Sequence, residues 1–316
     1  MKLKNVEFRT NQLELVFPMV GIGDDSMDQS QLIVEASNGS RRALARLLTL
    51  IQQGDQECID SVLSFSSVKS IGITGPPGVG KSCLTDCLAK IFADKGERIG
   101  VLCIDPSSPI SGGSLLGDRM RMEQSGVHDR IYVRSVATRN SHGSMPLRLK
   151  AMISALSMAG MDRILVETVG VGQTEIGIVS MTDSILLVDG PDRGDIVQAE
   201  KAGLLELADV VVVNKGDLPG SEQAAANIRS GLALGPASNV PVLIVSALNR
   251  TGINELVEAL ENIQLRASVE IVKWRHRLSS AIMDELVSNP SFDSTVDDLA
   301  EGRISIEQAI QRIIRQ

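Results

Sequence analysis

The sequence predicts an α/β fold in three layers, with a mostly parallel central sheet between helices and helical extensions at both ends of the chain. Three observations predict it. Between Val68 and Leu265, short apolar runs alternate with segments of helical spacing. Those runs are apolar almost throughout, the pattern of strands buried on both faces of a parallel sheet. Glycine-rich and charged turns follow the runs directly, and in such sheets ligands sit at the carboxyl ends of the strands.

Taken in order, residues up to about Ser66 read as helical and separate from the sheet. Ser40 is the predicted N-cap of a helix over 41–53, after the turn Asn38-Gly39. Ala43, Leu47, Leu48 and Ile51 recur at helical spacing, giving that helix one apolar face for packing on the main domain or docking a partner. Strands are expected at 69–74, 98–105, 131–136, 163–167, 184–189, 210–214 and 240–246. Helices are expected at 81–95, 147–158 and 222–234, and a Ser/Gly/Pro loop follows the second strand through Gly117. After Leu265 the alternation stops, and 266–288 and 296–316 read as two helices joined by Asn289-Pro290. There Leu299, Ile304, Ile306, Ala309, Ile310 and Ile313 supply more apolar surface than a lone terminal helix needs, which predicts a homodimer contact. The expected division is an N-terminal helical extension over 1–66, a central domain over 67–265 and a C-terminal extension over 266–316.

Composition bounds the partners. A net charge of −8 argues against nucleic acid, because phosphate backbones demand basic surface. Aromatic content of 2% removes the platforms on which bases stack. The amino terminus lacks the apolar core of a signal peptide, and no apolar run is long enough to cross a bilayer, so no membrane partner is expected. Four scattered cysteines do not make a disulfide framework, and a reducing cytoplasm is the expected location. Cys83 and Cys87 share a helix face with no histidine near them in sequence, and read as small core residues packing against the sheet.

The densest chemistry lies in Gly75-Pro76-Pro77-Gly78-Val79-Gly80-Lys81-Ser82, which fits the P-loop spacing and sits between an apolar strand and a helix. The glycines let successive N–H groups turn inward as an anion nest, and the helix beginning near Lys81 adds its positive end. Lys81 is placed to reach the β- and γ-phosphates and the Ser82 hydroxyl to ligate Mg²⁺, with Cys83 completing the contact set. The fold is therefore expected to be a three-layer P-loop NTPase. Asn214-Lys215-Gly216-Asp217 follows the apolar run 210–213 and matches the Asn-Lys-x-Asp guanine pattern. A buried Asp217 carboxylate accepts from guanine N1–H and the exocyclic amine, groups adenine lacks there, which selects GTP over ATP. Lys215 is expected to pack over the base, Asn214 to tie its loop to the P-loop, and Ser246-Ala247-Leu248 to present a backbone N–H to guanine O6.

Residues 164–167 deliver Glu167 to the phosphate end, and Gly170 follows three residues on, placed to touch the γ-phosphate. Glu167 is expected to hold Mg²⁺ through water or to orient the attacking water. Small GTPases carry Asp at this point and a glutamine after the glycine; here those positions are Glu167 and Val171, and Gln173 is the substitute at hand. Asp105 and Asp118 flank a loop rich in small residues and can complete the metal shell, with Asp105 grouped with Lys81 and Glu167 as catalytic. Asp192-Arg193-Gly194-Asp195 is a further charged loop beyond the fifth strand.

Together these segments resemble the methylmalonyl-CoA mutase-associated GTPases, the MeaB/ArgK family, from about Ala43 to Leu265. The most specific pieces are the P-loop, the runs 105–108 and 112–118, the run 167–175, and Asn214 to Asp217. The resemblance implies homodimeric GTPases of the signal-recognition-particle and metallochaperone class. Such proteins bind an adenosylcobalamin-dependent acyl-CoA mutase and couple hydrolysis of GTP to GDP with delivery and protection of its cofactor. It also implies Asp105, Asp118 and Glu167 around Mg²⁺ and the reacting water, and a switch over 192–201 in which Lys201 transmits to the mutase. Asp192-Arg193 stands where family members carry smaller residues. The guanine motif argues against the arginine/ornithine transport ATPase or kinase labels given to some relatives. The alternatives are a nickel-delivery GTPase for hydrogenase or urease, and a scaffold that binds nucleotide but barely hydrolyses it.

Overall fold

The computed structural model describes residues 28–65, 68–106, 128–138, 145–168, 181–191, 199–233, 235, 237–263 and 266–314. At its centre lies β1 (Ser70–Thr74), the strand that leads into the glycine-rich loop. Around it run β2 (Ile99–Pro106), β3 (Ile131–Thr138), β4 (Arg163–Thr168), β5 (Ser184–Asp189), β6 (Val210–Val213) and β7 (Val242–Ile244). The order across the sheet is β3-β2-β4-β1-β5-β6-β7, and every neighbouring pair is parallel. The P-loop strand thus has the Glu167 strand on one side and β5 on the other.

Alternation along these strands divides the core in two. Ile71, Ile73, Leu165, Leu186 and Val188 face α4 (Lys81–Asp94), with Leu84, Leu88 and Phe92 packed on them. Ile164, Val166, Ile185 and Leu187 face the opposite layer, where α5 (Met145–Met158) contributes Met152, Ile153 and Leu156. The amino-terminal helices α1 (Gln29–Ser37), α2 (Arg41–Gln53) and α3 (Gln56–Leu63) belong to this second layer. Leu44, Leu47, Leu48 and Ile51 share its core with α5, so the apolar face of α2 packs on the main domain. Ser40 caps α2 as expected, its hydroxyl accepting from Ala43 N at 3.3 Å. Among the described residues no helix is long and apolar enough to cross a membrane.

Two elements differ from expectation for identifiable reasons. β7 spans only 242–244 instead of 240–246, because the chain turns at both ends. Val240 N bonds back to Ala237 O, and Ser246 leaves the ladder for an antiparallel bridge with Thr251. The helix expected over 296–316 is two: α10 (Phe292–Ala300) and α11 (Ile306–Ile314). Gly302 takes φ +70° while its N–H bonds Leu299 O and that of Arg303 bonds Asp298 O, a left-handed termination that favours glycine. Ser305 and Gln308 then restart the helix with reciprocal bonds, Gln308 N to Ser305 Oγ and Ser305 N to Gln308 Oε1.

The remaining helices are α6 (Ala199–Leu207), α7 (Ser221–Ala233), α8 (Ile253–Glu261) and the long α9 (Ala267–Ser288). One face of α9 packs on the sheet's base through Val269 and Lys273, both buried. The opposite face carries Ile271, Trp274, Leu278 and Ile282, each more than half exposed.

Candidate functional site

The site forms where β1 ends. Gly75 adopts φ +141° with its Cα pressed on β5, so that a Cβ would lie 1.9 Å from Val188 O and no other residue fits. The backbone then curls through Gly78 and Gly80, both at positive φ, into the amino end of α4. Lys81 is buried at 6% exposure, and its Nζ donates to Gly75 O at 2.7 Å and to Pro76 O at 2.9 Å, folding the ammonium over the loop. Ser82 Oγ donates to Glu167 Oε1 at 2.6 Å. Glu167 comes from the adjacent strand and is 1% exposed, which places a carboxylate and a hydroxyl side by side beneath the loop. Two hard oxygens so held suit Mg²⁺, the donor chemistry that cation prefers.

A second loop is strapped to the first. Asn214 at the end of β6 donates through Nδ2 to Val79 O at 2.9 Å, and its Oδ1 accepts from Ala247 N at 3.0 Å. One buried amide therefore joins the P-loop, the Asn-Lys-x-Asp turn and the Ser-Ala-Leu loop. A Cβ on Gly80 would meet Asn214 Nδ2 at 2.5 Å, so the strap itself demands glycine there. Lys215 sits at φ 61°, an uncommon left-handed lysine that sets the turn. Ser246 Oγ donates to Asp217 Oδ1 at 2.5 Å and accepts from Asn249 N at 3.2 Å, which fixes the carboxylate's rotamer. Asp217 itself is exposed rather than buried, because it stands at the rim of the site. The Ala247 amide is committed to Asn214, and Leu248 is 79% exposed at the same rim.

A cavity of about 750 Å³ opens beside the loop, lined by Pro77, Gly78, Gly80, Lys81, Ser82, Cys83, Glu167, Ala247 and Leu248. Along α4 it is lined by Asp86, Cys87, Lys90 and Asp94, and His128 and Arg250 line it too. The thiols divide: Cys87 belongs to the core beneath α4, whereas Cys83 is exposed on the cavity and does not pack on the sheet. The reason is position along the axis: the two share a face, but Cys83 lies one turn nearer the open end of the helix. Burial and then the Asp86 carboxylate raise the Cys83 thiol's pKa, and burial raises that of Cys87, so both thiols are poor nucleophiles at neutral pH.

Of the other expected site residues, Asp105 lies at the carboxyl end of β2, level with Ala137 of β3, and Lys201 lies within α6. Asp118, Gly170, Gln173, Asp192 and Asp195 lie outside the described residues. Sequence reasoning missed His128 and Arg250 on the cavity wall, because neither belongs to a motif. It also passed over Thr74 and Thr168, which flank the loop and Glu167; an isolated threonine at a strand end signals only β-propensity.

Comparison with known proteins agrees with this geometry. The family model described as methylmalonyl Co-A mutase-associated GTPase MeaB matches residues 44–296. A probable GTPase of Mycobacterium bovis is 33% identical over 92% of this chain and 95% of its own length. GTPase ArgK of Escherichia coli is 30% identical, covering 81% of this chain and 85% of that protein. The mouse mitochondrial protein named methylmalonic aciduria type A homolog is 34% identical over 81% of this chain, which spans 64% of it. A crystal structure named LAO/AO transport system kinase matches 91% of this chain and 96% of its own, with TM-score 0.63 at 22% identity, a likeness of fold.

Proposed function

The chain belongs to the methylmalonyl-CoA mutase-associated GTPase family MeaB, and on that premise we propose that this GTPase is a nucleotide-driven chaperone of an adenosylcobalamin-dependent acyl-CoA mutase. It gates delivery of the cobalamin cofactor to that mutase and protects it there. The family's name and that of the mouse relative support the choice of client. The observation that carries the switch is the Ser82–Glu167 bond of 2.6 Å, which couples the P-loop helix to the strand entering 169–180.

The residues divide the work as follows. The loop amides from Gly75 to Ser82 and the Lys81 ammonium bind the β- and γ-phosphates, a helix amino terminus being suited to anions. Asp217 reads guanine N1–H and the amine, Lys215 covers the base, and the Leu248 amide is the loop donor left for guanine O6. Ser82, Glu167, Asp105 and Asp118 are the residues that would hold Mg²⁺, which would supply neutralisation of phosphate charge when bound. Glu167 also orients the attacking water, a role that Gln173 supports. Gly170 contacts the γ-phosphate, and Gln173, Asp192, Asp195 and Lys201 are the switch residues that report the difference between the GTP and GDP forms. Such a difference drives the client only if the client binds the two forms with unequal free energy. The exposed stripe on α9 supports a homodimer, and the reaction takes place in the cytoplasm.

Added mutase is expected to speed GTP hydrolysis, and its affinity for the chaperone to differ between a GTP analogue and GDP. Single-turnover phosphate release and calorimetric titration of the two proteins measure both. Glu167→Gln is expected to slow phosphate release about a hundredfold or more while GTP still binds. Hydrolysis indifferent to the mutase, with no complex in either nucleotide state, would overturn the reading.

A further inference from the structure

The sheet divides at the nucleotide site. The β1–β4 ladder ends at the pair Ile73↔Glu167. One residue on, Thr74 remains paired with Leu187 of β5, whereas Thr168 remains paired with Ile104 of β2. The P-loop therefore leaves from one half of the sheet and the Glu167 carboxylate from the other. Side-chain bonds cross this seam on both faces of the sheet. On the α4 face, Ser82 Oγ reaches Glu167 Oε1. On the opposite face, Thr168 Oγ1 reaches Thr74 Oγ1 at 3.2 Å, with both residues at 0% exposure. Strand alternation requires this arrangement, since Thr168 shares its face with Ile164 and Val166 while Glu167 points the other way.

We infer that Thr74 and Thr168 are a positioning pair, a buried hydroxyl clasp that holds the end of β4 against the root of the P-loop and so sets the Glu167 carboxylate at bonding distance from Ser82. The inference rests on reading Glu167 as the carboxylate that serves the metal and the water. Gly75 then turns sharply against Val188, and among the described residues the β1–β4 ladder has already ended at Ile73↔Glu167. A hydroxyl pair suits the position because separating two bonded polar groups in a buried place is costly. The clasp resists opening of the seam without adding charge beside the phosphates.

Thr168→Val keeps the shape and removes one hydroxyl; Thr168→Ser keeps the hydroxyl. Thr168→Val is expected to raise roughly tenfold the Mg²⁺ concentration giving half-maximal GTP hydrolysis, with KM for GTP changed less than twofold. It is also expected to speed amide exchange at Glu167 and Thr168 in nucleotide-free protein, and Thr168→Ser to restore both. The double variant Thr74→Val/Thr168→Val removes both partners, so its thermal stability should recover to near that of the parent while the Mg²⁺ shift persists. If a folded single or double variant keeps the parent's Mg²⁺ dependence and exchange rates, the clasp is core packing and the inference fails. Glu167→Gln, run beside them, separates the two ideas. If that variant retains full hydrolysis and Mg²⁺ dependence, the reading of Glu167 is what fails, and the positioning role falls with it.

Discussion

Asp217 shows how one residue's neighbours decide what it can recognise. Ser246 occupies Oδ1 and is itself held by Asn249, so the carboxylate stands in a fixed rotamer before any base arrives. Its exposure means that discrimination arises when a base covers it, at which point an unmatched carboxylate loses water and gains no partner. Asp217→Asn replaces an acceptor with a donor and is expected to weaken GTP binding about a hundredfold or more, while xanthosine triphosphate, whose C2 carbonyl accepts, binds better than GTP. Competition against a fluorescent guanine nucleotide measures it; GTP bound as tightly as by the parent would remove Asp217 from the base site. This part of the site was legible because its residue types sit at fixed offsets on a strand end. Asn214's bond to Val79 could be expected from the motif, since that bond is what the asparagine is for. The threonine pair could not, because 94 positions separate two residues that singly mark nothing more than strand.

Elements were legible where periodicity and punctuation agreed, and less so where one was ignored. The helix over 296–316 was expected to run unbroken because Ile306, Ile310 and Ile313 continue a helical spacing across the gap. Gly302 and the pair Ser305/Gln308 carry the signal for a stop and a restart, and local hydrogen bonding prevails over the apolar pattern. Part of the expected apolar surplus is exposed where the sequence put it, at Ile306 (64%) and Ile310 (52%). Ala309 of the expected set is buried, and a further exposed stripe, Ile271, Trp274, Leu278 and Ile282, lies on α9. These positions recur every three or four residues, so they form one face opposite Val269 and Lys273. If a second copy covers that face, Trp274→Glu with Leu278→Glu leaves a folded monomer. Sedimentation velocity should then show the monomer across micromolar concentrations, with the melting temperature of the GTPase core within a few degrees of the dissociated parent. An unchanged dimer would place the contact elsewhere, with the Ile306–Ile310–Ile314 face next in line.

At the scale of the molecule, the sheet has a nucleotide end and a charged base, and α9 is fastened to the base. Lys273, 1% exposed, donates from Nζ to Asp183 O at 2.5 Å and lies 3.3 Å from Glu270 Oε1. Arg266 donates to Ala208 O at 2.6 Å. Asp183 in turn accepts from Ser70 N and Oγ at the start of β1, so the fastening reaches the strand that ends in the P-loop. None of this was readable, because 266–288 read as an appendage and a lysine in a polar helix reads as solvated. Burial raises the Asp209 carboxyl above the ordinary aspartate value; the Ile185 amide, Lys273 and Arg266 pull it back. The sign follows from linkage. A folded carboxyl raised above its unfolded value binds its proton first, so this group costs stability when ionised and relieves that cost as pH falls through its folded pKa. Lys273 offsets the cost only while Asp209 is ionised. Lys273→Met removes a buried cation that bonds the Asp183 carbonyl, pairs with Glu270 and attracts Asp209, and should destabilise the fold by about 3 kcal/mol at neutral pH and by less as pH falls through the folded pKa of Asp209. Urea unfolding of variant and parent at pH 7.5 and pH 5 measures the two differences. Equal losses at both would show that the charge on Asp209 is balanced by Arg266, 4.0 Å away, and not by Lys273.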